Sequence, residues 1–203
     1  MNEFSDRFLS LESSKEIQVN VSGSKFIASA FPLKNEEQAQ EYIRKVKKEF
    51  HDATHHCFAY HIQSKDEEIF KVSDAGEPKG TAGKPILSAI KSKNLYNVLV
   101  VVTRYFGGIK LGKGGLSRAY FQSAKEVLEK CKIIGHFITY QLSISFPLNS
   151  IGKVSRVLAK YDAEILNKDF SSKVNLVIEI RASQKENIVK TLVETTGGQV
   201  KFI

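Results

Sequence analysis

The chain has 203 residues, 42% of them hydrophobic, and its 30 Lys and Arg outnumber 22 Asp and Glu to give a formal net charge of +8. That length supports a real core in one large domain or two small ones. No apolar run approaches the roughly 18 residues that span a bilayer, and the polar, acidic N-terminus does not resemble a secretory signal. Two cysteines without paired spacing, Cys57 and Cys131, argue against a disulfide framework, so a cytosolic protein is expected.

Residues 16–33 alternate as two strands broken at Ser22-Gly23-Ser24. Asn35 is expected to cap a helix over Asn35–Phe50, because Ala39, Tyr42, Ile43, Val46 and Phe50 recur at helical spacing. His51-Asp52-Ala53-Thr54-His55-His56-Cys57 then leads into strand-like Phe58–Gln63, and Glu68–Val72 closes a hairpin across Ser64–Glu67. His51, His55, His56 and Cys57 are all metal-ligand types, and a Cys beside His is a candidate thiolate nucleophile. Strand alternation nevertheless sends His55 and Cys57 to one face and His56, Phe58 and Tyr60 to the other. The cluster therefore reads as a helix-to-strand corner with satisfied imidazoles, and neither a metal nor a cofactor is expected.

Ser73 to Pro85 reads as an irregular loop in which Thr81 caps a helix of about Ala82–Lys93, with Pro85 in its first turn. Asp74 and Glu77 are the loop's only acids. With His56 they are the candidates for general acid and base, although carboxylates beside a glycine turn more often bond local N–H groups or pair with a basic neighbour such as Arg104.

Val98–Val102 is a β-branched, apolar run that suits a strand covered on both faces. After Thr103-Arg104-Tyr105 comes a loop expected to hold five glycines, Gly107, Gly108, Gly112, Gly114 and Gly115, before a helix resumes over Leu116–Leu128. Strand, glycine loop and helix start together place exposed N–H groups where the macrodipole favours an anion. The spacing matches neither GxxxxGK[ST] nor GxGxxG, which removes the usual nucleotide readings. From Pro78 through Lys125 there is no Asp or Glu, while nine Lys and Arg fall there. A solvated face mixes signs, so this segment reads as an electrostatic footprint. The expected anion- or nucleic-acid-binding set is Arg104, the five glycines, Lys110, Lys113, Arg118, Lys79, Lys84 and Thr81.

GEPKGTAGKP at 76–85, TRYFGGIKLGKGGLSRAY at 103–120 and the earlier HDATHHCFAY resemble the IMPACT/YigZ family over roughly the first two-thirds of the chain. The resemblance implies an N-terminal α/β domain similar to the second domain of a small-subunit ribosomal protein and to domain IV of elongation factor G. Eukaryotic members of that family regulate translation by blocking activation of the kinase that phosphorylates an initiation factor, and bacterial members are suggested to bind nucleic acid or ribosomes. Two positions depart from the family pattern. Ala75 stands where Asp is common, which weakens an acid-pair mechanism, and Lys113 stands where a small hydroxyl residue is common, which strengthens the basic loop.

After Cys131 the pattern changes around Gly135-His136. The remainder reads as strand Phe137–Phe146, helix Asn149–Tyr161, strands Ala163–Asn167 and Val174–Ile180, helix Gln184–Thr195 and strand Gln199–Ile203. This βαββαβ order is the ferredoxin-like split, and YigZ-like proteins carry such a domain, similar to the last domain of elongation factor G. The expected fold class is therefore α+β, with domains at 1–133 and 136–203. The expected function is a cytosolic protein that binds RNA or the ribosome, with a protein of the translation apparatus as a further partner class, and modulates translation. The alternative is a hydrolase-like enzyme acting on a phosphate- or carboxylate-bearing small substrate at the same loop.

Overall fold

A computed structural model of the protein describes residues 6–63 and 68–203. The chain divides into two compact units, one of them Phe8–His136 and the other centred on Phe137–Ile203. Asp6 joins the latter, its carboxylate accepting hydrogen bonds from Ser183 N (3.1 Å) and Oγ (2.5 Å).

The core of the first unit is a five-stranded antiparallel sheet in the order β2 (Lys15–Val21), β3 (Ser24–Pro32), β6 (Val98–Tyr105), β4 (His55–Gln63), β5 (Glu68–Ser73). β1 (Arg7–Leu11) pairs with β7 (Ile133–Phe137) in a separate two-stranded sheet. β6 is central, and seven of its eight residues are buried. Val98, Val100 and Val102 pack into one core with α2 (Gly83–Ser92) and α3 (Gly112–Lys130), while Leu99 and Val101 pack into a second core with α1 (Glu36–Glu49). Burial on both faces explains the continuous apolar run, and each such side chain contributes roughly 1.5–3 kcal/mol. The turn of the β4–β5 hairpin, residues 64–67, lies outside the described residues.

α1 begins as expected, with the Asn35 side chain accepting from Gln38 N at 2.9 Å. The two later helices start differently from the sequence expectation. Thr81 does not cap α2, because its hydroxyl donates to Pro78 O at 2.6 Å; the cap comes from Asp74 instead, whose Oδ1 accepts from Ala82 N (3.0 Å) and Gly83 N (2.9 Å). α3 begins at Gly112 and not near Leu116, so Gly112, Lys113, Gly114 and Gly115 form its first turn and only Gly107 and Gly108 lie in the connecting loop.

In the second unit the strand expected over Phe137–Phe146 is interrupted at Ile138, separating β7 from β8 (Thr139–Phe146). After β8 the chain continues through α4 (Ile151–Lys160), β9 (Glu164–Phe170), β10 (Val174–Arg181), α5 (Lys185–Thr196) and β11 (Lys201–Phe202), and the four strands form an antiparallel sheet in the order β11-β8-β10-β9. Both helices pack on one face, where Ile144, Val154, Leu158, Ile178, Ile188 and Leu192 are buried. This is the ferredoxin-like arrangement. No helix among the described residues is long and apolar enough to cross a membrane.

Candidate functional site

β6 runs directly into the loop that feeds α3, and beneath that loop lies a buried polar cluster. Arg104 Nη1 donates to Glu77 Oε1 at 2.7 Å, and the Tyr120 hydroxyl donates to the same oxygen at 2.8 Å. Arg104 Nη2 donates to Ser24 Oγ at 3.2 Å, and that oxygen also accepts from Gly107 N at 3.2 Å. Arg104 is 5% exposed and Glu77 8%. Arg104, expected among the anion-binding residues, is therefore an internal brace, because its charge is neutralised by Glu77 and a buried guanidinium stripped of that partner is strongly unfavourable. Burial pushes the Tyr120 phenol far above its ordinary pKa and keeps it a donor.

The candidate acid–base residues do not form one set. Asp74 accepts from Gly80 N (2.7 Å) as well as from Ala82 and Gly83. Burial alone would raise its pKa, but these three hydrogen bonds outweigh it and hold the carboxyl below its ordinary value. Glu77 is committed to Arg104 and Tyr120. His56 lies on the α1 face of β4, with Nδ1 3.2 Å from Thr103 Oγ1, and burial lowers its pKa. The histidine nearest Glu77 is His55, whose Nε2 lies 3.9 Å from Glu77 Oε1 while Nδ1 is 2.9 Å from the Ala75 carbonyl. The Cys57 thiol donates to Asp74 O at 2.9 Å, and burial pushes its pKa up to about 12, which makes it a poor nucleophile. Among the described residues no three His, Cys, Asp or Glu side chains gather to hold a metal ion.

The two loop glycines have separate reasons. A Cβ on Gly107 would meet the Gly23 carbonyl oxygen at 1.9 Å, so the loop packs directly on the β2–β3 turn. Gly108 has φ +87° with open space around it, a conformation that side-chain-bearing residues rarely adopt. At the start of α3, Leu111 offers no side-chain cap and no acid stands in the first turn, so its first N–H groups stay available.

Among the nine cations of the acid-free segment the structure makes a clear division. Lys91 pairs with Glu68 (3.0 Å), Lys93 and Lys125 with Glu129 (3.6 and 3.9 Å), and Arg104 with Glu77. Lys79, Lys84, Lys110, Lys113 and Arg118 form no ion pair among the described residues. Two shallow depressions run beside them. The first, about 600 Å³, has Gly80 and Lys84 on one side and Ser117, Arg118 and Phe121 on the other. The second, about 470 Å³, is bordered by Ser22, Ile109, Lys110 and Gly115, and Arg118 and Gln122 line both. Sequence reasoning gave Ser24 and Tyr120 no place in the site, and it weighed His55 as a metal-ligand type and not as the histidine beside Glu77. Tyr120 had a readable signal, since it falls four residues after Leu116 on the apolar side of a helix, where a buried hydroxyl requires a partner.

Comparison with other proteins follows the same division of the chain. Residues 22–128 match the Impact N-terminal domain, and residues 144–199 match a domain of unknown function, DUF1949. The IMPACT family member YvyE of Bacillus subtilis is 35% identical over 194 residues, spanning 95% of this chain and 88% of the relative. An IMPACT family member of Haemophilus influenzae is 33% identical over 199 residues, spanning 95% and 94% respectively. The crystal structure of a hypothetical protein, 26% identical, superposes with a TM-score of 0.74 over 97% of this chain and 96% of that one.

Proposed function

The chain belongs to the IMPACT family, and from that premise we propose that it is a cytosolic RNA- or ribosome-binding protein that modulates translation, holding phosphate groups on the basic surface around the start of α3. One observation carries this reading. Four of the nine cations between Pro78 and Lys125 are neutralised internally, whereas the five left over cluster around the start of α3, the two depressions beside it and the loop that leads into α2. Unpaired positive charge in one place attracts a polyanion and displaces its counterions. The engagement of Asp74 and Glu77 in structural hydrogen bonds favours a binding role over an enzyme acting on the same anion.

The test is RNA and ribosome affinity of the full chain across a salt series. Affinity should fall steeply with salt, and Lys110→Ala and Lys113→Ala should each lower the magnitude of the slope by about one. Exposed charges contribute little to folding, so melting should hardly move. A folded double variant that binds RNA and ribosomes as tightly as the parent at low salt would sink the proposal.

A further inference from the structure

The loop that borders the second depression carries apolar side chains as well as charge. Phe106 is 46% exposed and Ile109 59% exposed, in a segment flanked by Lys110, Lys113 and Arg118. Isolated exposed apolar residues are ordinary, but these two lie three residues apart in one short loop that runs on into Lys110 and Lys113. The loop's stem is fixed: Phe106 N donates to Thr54 Oγ1 at 3.1 Å, and Gly107 N to Ser24 Oγ. The Phe106 ring centroid lies 5.4 Å from the guanidinium carbon of Arg104, which Glu77 holds in place. The ring is thus supported from the protein side and open to solvent.

Resting on the anion reading above, we infer that this surface takes single-stranded rather than duplex RNA, with an unpaired base laid against Phe106 and Ile109 while backbone phosphates meet Lys110 and Arg118. A duplex presents phosphates to the lysines, but its bases are already stacked on one another and give an aromatic ring nothing to cover. An unpaired base has a free π-face and gains from an apolar platform beside positive charge. A peptide of acidic residues alone would satisfy the cations and leave Phe106 exposed.

The inference is tested by fluorescence anisotropy on the full chain, with a labelled RNA of about 12 nucleotides used alone and annealed to its complement, at one salt concentration. The single strand should bind more tightly. Phe106→Ala should weaken it roughly 5- to 150-fold, the worth of one lost base–aromatic stack, and leave duplex binding and the salt slope unchanged. Phe106→Tyr, which keeps the ring, should retain parental affinity. Ile109→Ala should lower single-strand binding in the same direction as Phe106→Ala. The inference is overturned if the duplex binds as tightly as the single strand. It is equally overturned if both Phe106→Ala and Ile109→Ala stay folded and bind the single strand like the parent, or if a polyglutamate peptide loses affinity with Phe106→Ala as the RNA does, which would point to a protein partner. If no RNA binds but inorganic phosphate still shifts the amide signals of residues 107–115, single-strand binding falls and the anion site stands. If phosphate also leaves them unmoved, both fall.

Discussion

At the start of α2, the N–H groups of Ala82 and Gly83 are taken by the Asp74 carboxylate, and a Cβ on Gly83 would meet Ser73 N at 2.7 Å. At the start of α3 no side chain caps the helix, Lys113 occupies the first turn, and Gly112 has open space around it. Both helix starts offer a positive dipole end. The protein has closed one with an internal anion and packed backbone against it, and has left the other bare and added cations to it. A lysine at a helix N-terminus is mildly unfavourable for folding, so the composition of the α3 start follows from something other than stability. Two helix starts built from similar glycine-rich sequence are thereby separated, one closed and one open.

That separation breaks most visibly if the buried brace beneath it is cut. Glu77→Ala leaves the Arg104 guanidinium buried without its carboxylate, and about 3–5 kcal/mol of stability should be lost in denaturant unfolding; a change below 1 kcal/mol would mean the pair is not structural. Asp74→Ala orphans three backbone N–H groups, and about 2 kcal/mol should go, at the upper end of capping effects. Because the folded-state pKa of Asp74 is depressed below its ordinary value by the three N–H groups it accepts from, its contribution is present above the unfolded pKa and is lost as pH falls through the lower folded one. The difference between parent and Asp74→Ala should therefore be constant near neutral pH and shrink in acid below about pH 4, and a difference that grows in acid would show that the capping carboxylate has the wrong sign of linkage.

The smallest expected effects give the finest test, because the two helix starts should respond with opposite signs. Gly83→Ala forces a methyl group into the Ser73 backbone and should cost about 1–3 kcal/mol. Gly114→Ala meets only the end of the Arg118 side chain at 3.6 Å and should stabilise the helix by about 0.5–1 kcal/mol. If thermal melts show both changes destabilising, the α3 start is as tightly packed as that of α2 and the contrast disappears. If Gly114→Ala raises stability and lowers phosphate affinity together, the bare turn is kept for a ligand.

Local patterns in the chain carried the larger features. The buried run at Val98–Val102, the Asn35 cap and the βαββαβ order after Ile138 depend on near neighbours and periodicity, and all appear in the structure. What escaped depends on distance. Asp74 reaches Gly83 nine residues ahead and so displaces Thr81, the residue in the usual capping position. Arg104 finds Ser24 eighty residues away. The partners of Lys91, Lys93 and Lys125, Glu68 and Glu129, lie outside the acid-free window, so the window alone overstated the free charge. The three α3 glycines looked like loop because glycine is a poor helix former, and only the continuation into Leu116 and Ala119 draws them into the first turn.

The brace beneath the loop also sets when the site can exist during synthesis. Ser24, Glu77, Arg104, Gly107 and Tyr120 converge on it, and they emerge from the ribosome in that order. A nascent chain that has exposed Lys79 and Lys84 still lacks the partner that neutralises Glu77, and one that has exposed Arg104 still lacks the α3 side of both depressions. The basic surface around the start of α3 therefore becomes complete only after Tyr120 has left the exit tunnel, late in translation of the first unit.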